Sequence, residues 1–396
     1  MPPRVVWFAA LSLTLLGATK PAAENLRLRR LVESGKHPAI RWGRFSDVQV
    51  DAASVYRLAD WTPLWLTNNR PTTAARALVD LLATASDRGL TPEDYDAAQL
   101  AAFVATLDRR GADDEQAIRF DAALTIALLR FTTALAIGRA PLSERGLPAR
   151  LTPARFDRAG FVDQLRVATN PDSMLSTLEP GWEPYQALRR ALARFRRFAK
   201  DSAQRRSFYL GGSQKMALAL ERWRWLPRGL GSKMLVLSAP SGKLDLFDTQ
   251  GRSVSLRFRT GAACRKRAVS VGETWMLALR PADQPGVLLR IPVPGDSPLV
   301  APRSGSTGPS GGCIELNDGE LLAQLLLRDR ADWPGVRVTA VLNGNRQVYV
   351  RLRQPVTLLY LYSTAYVSPD GTVQLTPDEF GLDARLAAVL RRGYGQ

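Results

Sequence analysis

The sequence predicts an α+β multidomain chain: an N-terminal all-α domain followed by a mostly β domain with one short helix after its second cysteine. Three observations predict it. The 396 residues, 45% hydrophobic and 23% charged, give room for two cores. From Asn25 to about Met216 the apolar residues recur at helical spacing. Beyond Leu226 they fall into short runs rich in Val, Leu and Tyr, separated by turn residues. No internal repeat is visible.

In chain order, residues 1–23 read as a signal peptide. Arg4 precedes an apolar run from Val5 to Leu16, and small residues follow around Ala18 and Ala23. The run is short for a membrane span of roughly 20 residues. No later stretch reads as a span, so the expectation is a soluble periplasmic protein.

Residues 24–205 form the expected helical domain. PTTAARALVDLLATASDRG sets Leu78, Leu81, Leu82 and Ala85 at i, i+3, i+4 and i+7, with Gly89 as the stop. LTPEDYDAAQLAAFVATL opens on Thr91 and Pro92, which suit a cap and a first turn. Asp114 to Ala136 give a long apolar helix, and YQALRRALARFRRFAK an amphipathic basic one. Residues 206–218, with their GGS, read as a linker. Residues 219–396 form the β domain, in which KMLVLSAP, KLDLFDTQGRSVSLRFRTG, WMLALRP, GVLLRIPV, VRVTAVLNGNRQVYVRL and PVTLLYLYSTAYVSPDGTVQL read as strands and NDGELLAQLLLRD as the one helix.

The 54 Lys and Arg exceed the 37 Asp and Glu, for a net charge of +17. Such an excess suits an acidic partner surface, such as peptidoglycan carboxylates or anionic lipid heads, although a GC-rich genome, which favours Arg, would produce the same excess. Nucleic acid is not expected: there is no zinc spacing, RNP-like segment or P-loop. Trp61, Trp65, Trp223 and Trp225 read as core or interface aromatics. The single histidine, His37, reads as a surface residue.

Chemistry points to Cys313, in PSGGCIELND. A cysteine on a Gly-rich turn before a helix has backbone N–H groups to hold an oxyanion and a helix N-terminus to lower its pKa. A small residue in a tight turn would look the same, and on spacing alone the two stand even. The other cysteine, Cys264, could pair with it in an oxidising compartment.

The run Ser310-Gly311-Gly312-Cys313 resembles the Ser-x-Gly-Cys signature of the L,D-transpeptidases, with their YkuD-type catalytic domain. DWTPLWLTNNRPTTAARALVDLLATASDRGLTPEDYD, LTIALLRFTTALAIGRAPL, EPGWEPYQALRRALARFR, ERWRWLP and YLYSTAYVSPDGTVQLTPDEFGLD resemble, in order, blocks of that family's large helical-scaffold subgroup. The resemblance implies a periplasmic cysteine acyltransferase of peptidoglycan, with stem peptides and other cell-wall proteins as partners and no cofactor or metal. It makes Cys313 the nucleophile, and Ser310, Gly311 and Gly312 its loop and oxyanion hole.

The family pattern is broken in three places. In Gly295-Asp296-Ser297-Pro298, Gly295 stands where the family's histidine base belongs, leaving Asp296 as the candidate substitute. Glu315 stands where the family carries Arg, and its charge raises the pKa of a nearby thiol. A peptidoglycan-binding module before ERWRWLP and a lid in the catalytic domain have no room. A positioned base contributes roughly 10² to 10⁴ in rate. The expectation is a weakened acyltransferase or, as the alternative, a catalytically silent relative that binds the wall.

Overall fold

The computed structural model describes residues 20–110, 113–145, 156–201, 203, 205–226, 228, 233–248, 251–260, 269–280, 286–289, 299–302, 314–316, 319–368 and 370–394. They form a helical part followed by a strand-rich part, an α+β architecture.

The helical part opens with α1 (Lys20–Glu33) and α2 (Gln49–Leu58), then a two-stranded hairpin of β1 (Leu66–Thr67) and β2 (Arg70–Pro71). The hairpin turn is Asn68-Asn69, both at positive φ (49° and 56°), the backbone that a two-residue primed turn requires and that Asn tolerates. The helix α3 (Thr73–Ala83) starts where its sequence says: the Thr72 hydroxyl accepts the N–H of Ala75, and Ala75, Leu78, Val79 and Leu82 form the buried stripe. It runs into a 3₁₀ turn stopped by Gly89 at φ 72°, where a Cβ would also meet the Ala217 backbone at 3.0 Å.

Pro92–Tyr95 is a separate 3₁₀ turn, because Asp96 turns left-handed (φ 54°) before α4 (Ala97–Arg110). The long α5 (Asp114–Ile137), capped by Asp113 accepting from Gln116 N, is buried on every side from Phe120 to Thr132, as an apolar helix at the centre of a bundle must be. Contrary to expectation, a later stretch is long and apolar enough to cross a membrane: Asp114–Arg145 passes on length and composition, with 89% of the window buried inside the fold. Around α5 pack α1 to α4, α7 (Arg158–Leu165) and α8 (Pro171–Ser176), which share one core; the short α6 (Leu142–Arg145) follows α5 in the chain.

Two expectations are corrected here, one in the next segment and one near the start of the helical part. Residues 206–218, expected as a linker, begin a 19-residue helix, α10 (Arg206–Arg224), which packs antiparallel on α9 (Glu183–Asp201). The glycine that suggested flexibility serves close packing: a Cβ on Gly212 would lie 2.9 Å from the Phe195 ring and 3.0 Å from Leu375. His37, expected at the surface, is buried with 3% exposure.

The strand-rich part is a closed eight-stranded barrel. Its strands are β3 (Lys233–Ser238), β4 (Lys243–Asp248), β5 (Gly251–Thr260), β6 (Val269–Arg280), β7 (Gly286–Leu289), β8 (Leu299–Pro302), β9 (Ile314–Leu316) and β10 (Val348–Leu361). They close in the order β10-β3-β4-β5-β9-β8-β7-β6, with β10–β3 and β8–β9 parallel and the other pairs antiparallel. Closure leaves no open edge.

Strand alternation then makes two cores. Leu235, Leu237, Leu244, Leu246, Leu277 and Leu279 join Leu322 and Leu326 of α11 (Gly319–Leu327) and Val338 and Leu342 of α12 (Gly335–Leu342). Met234, Val236, Leu359 and Leu361 turn the other way, onto Leu188, Leu192, Met216, Leu220 and Trp223 of α9 and α10. A small hairpin of β11 (Ala365–Val367) and β12 (Val373–Leu375) and a last helix, α13 (Leu382–Arg391), complete that second core.

The strand reading of VRVTAVL is therefore corrected to helix α12. Its β-branched residues suggest a strand, but Val338 and Leu342, four apart, are the ones buried against α11.

Candidate active site

Register defines one rim of the barrel. Thr260 pairs with Ile314, Leu289 with Leu299, and Val300 with Glu315 in parallel, so β5 and β7 end there and β8 and β9 begin there, side by side. The segment holding Gly295 and Asp296 feeds β8, and the segment holding Ser310, Gly311, Gly312 and Cys313 feeds β9. Those six residues, and Cys264, lie outside the described residues. Glu315 is in β9, with Arg259 of β5 as its register partner. The expected helix follows the cysteine in the chain, with strand β9 in between, and α11 starts at Gly319.

The same rim is fastened to the helices. β10 ends there at Leu361, paired with Ser238 and Val269, and runs into Tyr362, Ser363 and Thr364, all buried. The Thr364 hydroxyl donates to Asp383 of α13, and Arg222 of α10 donates to the other oxygen of Asp383 at 2.5 Å and to Leu382 O at 2.9 Å. Arg222 also lies 5.2 Å from the centre of the Tyr362 ring. The Tyr362 hydroxyl donates to Asp378 at 2.6 Å, and Asp378 accepts the N–H groups of Asp383 and Ala384, which start α13. Burial raises the Asp378 pKa, but these hydrogen bonds outweigh it and hold the carboxyl below its ordinary value.

ERWRWLP is thus a joint. Glu221 and Trp225, one turn apart, face the end of α5: one Glu221 oxygen accepts from Arg139 N (2.6 Å), Ala140 N (2.8 Å) and Trp225 Nε1 (3.0 Å). Arg222 holds the rim. Arg224, fully buried, donates to Arg88 O and to the Tyr185 hydroxyl, which donates in turn to Glu179. Trp65, Trp223 and Trp225 are buried and Trp61 half-buried, in the core and interface roles expected. Sequence reasoning missed Asp383, which carries no signature, and the separate roles of Glu221, Arg222 and Arg224; on a helix Arg222, next in the chain, faces away from Glu221, while Arg224 at i+3 returns to the Glu221 face and lies 3.9 Å from its carboxylate.

His37 is no base for this rim. Its Nε2 lies 2.9 Å from Arg119 O in the helical part, and its Nδ1 accepts the Ala39 N–H at 3.2 Å, the pattern of a neutral imidazole. Burial pushes its pKa down to about 4. Deep in the same bundle, Asp121 accepts from the Tyr56 hydroxyl and from Trp65 N, both at 2.7 Å, and burial raises its pKa to about 6. A cavity of about 320 Å³ lies where the Gly89 turn, α10 and α13 meet; in its wall Arg139 pairs with Asp94 at 2.6 Å. No group of three or more His, Cys, Asp or Glu stands together among the described residues to hold a metal ion.

The bundle around one apolar helix has a known counterpart. Residues 51–192 match the family model described as Scaffold domain. That is the N-terminal helical scaffold of L,D-transpeptidase-like proteins, and here it runs from α2 to the middle of α9. The match ends before the barrel. No curated protein matches the chain.

Proposed function

We propose that the chain is an L,D-transpeptidase-like protein of the cell wall, exported to the periplasm, that takes peptidoglycan stem peptides at the β8–β9 rim with Cys313 as the acyl-accepting thiol. The observation that carries this reading is the Scaffold domain at residues 51–192. The shared start of β8 and β9 supports it, because it leads the Asp296 segment and the Cys313 segment to one rim. In the proposed reaction the thiolate adds to the carbonyl between diaminopimelate and the terminal D-Ala. A C–S bond forms, the C–N bond breaks, and D-Ala leaves as the protonated amine. An amine of a neighbouring stem then attacks the thioester: a new C–N bond forms, the C–S bond breaks, and the proton lost by the amine returns to the sulfur.

With Gly295 in the base position the thiol proton passes to Asp296 or water, and turnover falls by roughly 10² to 10⁴. Tetrapeptide muropeptides incubated with the protein and separated by mass should show slow loss of D-Ala and new cross-links. Both should vanish in Cys313→Ala. Equal product from that variant sinks the proposal.

One observation favours a second reading, a silent wall-binding relative: the only histidine, His37, is buried in the helical part. That reading predicts retention on purified sacculi, weakening as salt rises, with no muropeptide product. Retention that ignores salt, or no retention, counts against it.

A further inference from the structure

We propose that the end of the α9–α10 hairpin is a docking surface for a bilayer containing anionic phospholipid. The last turns of α9 and the first turn of α10 bring four aromatic rings together. Phe195 lies 5.3 Å from Tyr209, Phe198 lies 5.6 Å from Tyr209, and Phe208 lies 5.5 Å from Tyr209 and 6.2 Å from Phe195, centre to centre. A ring cluster on a soluble face is normally buried, but Phe198 is 50% exposed, Phe208 59% and the adjoining Leu210 48%. Apolar residues exposed singly need no explanation; a contiguous group does.

The cluster is rigid at its base. Phe195 packs against Gly212, which leaves no space for a Cβ, and so joins the core shared with the barrel.

Charge identifies the occupant. Residues 194–206, RFRRFAKDSAQRR, hold six basic residues and one acidic. Arg194, Arg197, Lys200, Arg205 and Arg206 make no ion pair among the described residues, whereas Arg196 reaches Asp87 at 3.5 Å. Cations with no ion pair among the described residues, set around exposed rings at the end of a hairpin, match the headgroup layer of an anionic membrane. Phenylalanine and tyrosine rings settle at headgroup depth, and long basic side chains lay their stems along the apolar surface while their heads meet phosphate. A folded protein partner would need an acidic cup of matching shape; a bilayer deforms to the projection. The surface is built only from α9 and α10, so the proposal stands independently of the chemistry at Cys313.

The test is flotation of the full chain with phosphatidylcholine vesicles, with and without phosphatidylglycerol. Three proteins are compared: unsubstituted, Phe198→Ser/Phe208→Ser and Arg197→Ser/Arg205→Ser. Any contribution of residues 1–23 is common to all three, so the differences report the hairpin. Each basic residue near an anionic surface contributes roughly fivefold. The arginine variant should therefore partition roughly 25-fold more weakly onto phosphatidylglycerol vesicles, and high salt should produce a comparable loss. The phenylalanine variant should partition at least roughly tenfold more weakly. An unchanged urea midpoint shows that each variant is folded, as expected for exposed positions.

The proposal is overturned by equal partitioning of all three proteins, by equal binding to neutral vesicles, or by retention on sacculi with none on vesicles.

Discussion

His37 and Asp121 should oppose each other in the pH dependence of stability. His37 is neutral in the folded protein down to about pH 4, while in the unfolded chain it takes up a proton below its ordinary 6.5. The unfolded state therefore binds more protons between these values, and stability rises with pH across the window, by about 3 kcal/mol in all. Asp121 works the other way. Folded, it keeps its proton up to about pH 6; unfolded, it loses it near 3.8. Stability falls as pH rises between the two, again by about 3 kcal/mol.

About 2 kcal/mol of each change lies between pH 4 and pH 6, so in the unsubstituted protein the two nearly cancel. His37→Gln keeps a donor for Arg119 O and removes one titration; Asp121→Asn removes the other. The assay is urea unfolding of both variants and the parent at pH 4 and pH 6, in which the difference from the parent cancels every other ionisation. His37→Gln should lose about 2 kcal/mol relative to the parent on going from pH 4 to pH 6, and Asp121→Asn should gain about as much. The level of either curve reflects lost hydrogen bonds; the slope reports the titration. Variants that track the parent within about 0.5 kcal/mol would refute the burial argument for both groups.

Three further outcomes follow from the joint and the core. Arg222→Ala leaves the Asp383 carboxylate buried without its cation and should cost about 3–5 kcal/mol, read as a lower urea midpoint with earlier proteolysis between helices and barrel; a midpoint within error of the parent counts against the joint. Gly212→Val drives a side chain into Phe195 and Leu375 and should cost about 1–3 kcal/mol; a true linker there would accept it without loss. Thiol titration of the denatured, unreduced protein should find two reactive cysteines, and none would show that Cys264 and Cys313 are joined and that no free nucleophile exists.

The helical part was legible where the physics is local. Gly89 stops the stretch that begins with α3, and the apolar text of α5 is that of a central helix; the Thr72 cap and the Asn68-Asn69 hairpin, equally local, went unread. Contacts over long sequence separations were not legible. β3 lies beside β10, more than a hundred residues on, and no local pattern states that the sheet closes. VRVTAVL carries strand-forming residues that packing against α11 holds as helix, and the glycines of LGGS signal a linker until Phe195 is seen against them. His37 had no sequence feature to mark it as buried, since its partners are backbone groups. Of the proposed site, the cysteine on its Gly-rich turn and the glycine at 295 were readable in the sequence. The common rim of β8 and β9 and its fastening through Arg222, Asp383 and Thr364 required the fold.

The central claim is that Cys313 remains an acyl-accepting thiol, and the mass of the intact protein after incubation with a carbapenem tests it most directly. A single added drug mass, slow to form and absent from Cys313→Ala, is the predicted result. An unmodified protein at high drug concentration and raised pH, or an adduct that survives in Cys313→Ala, would contradict it.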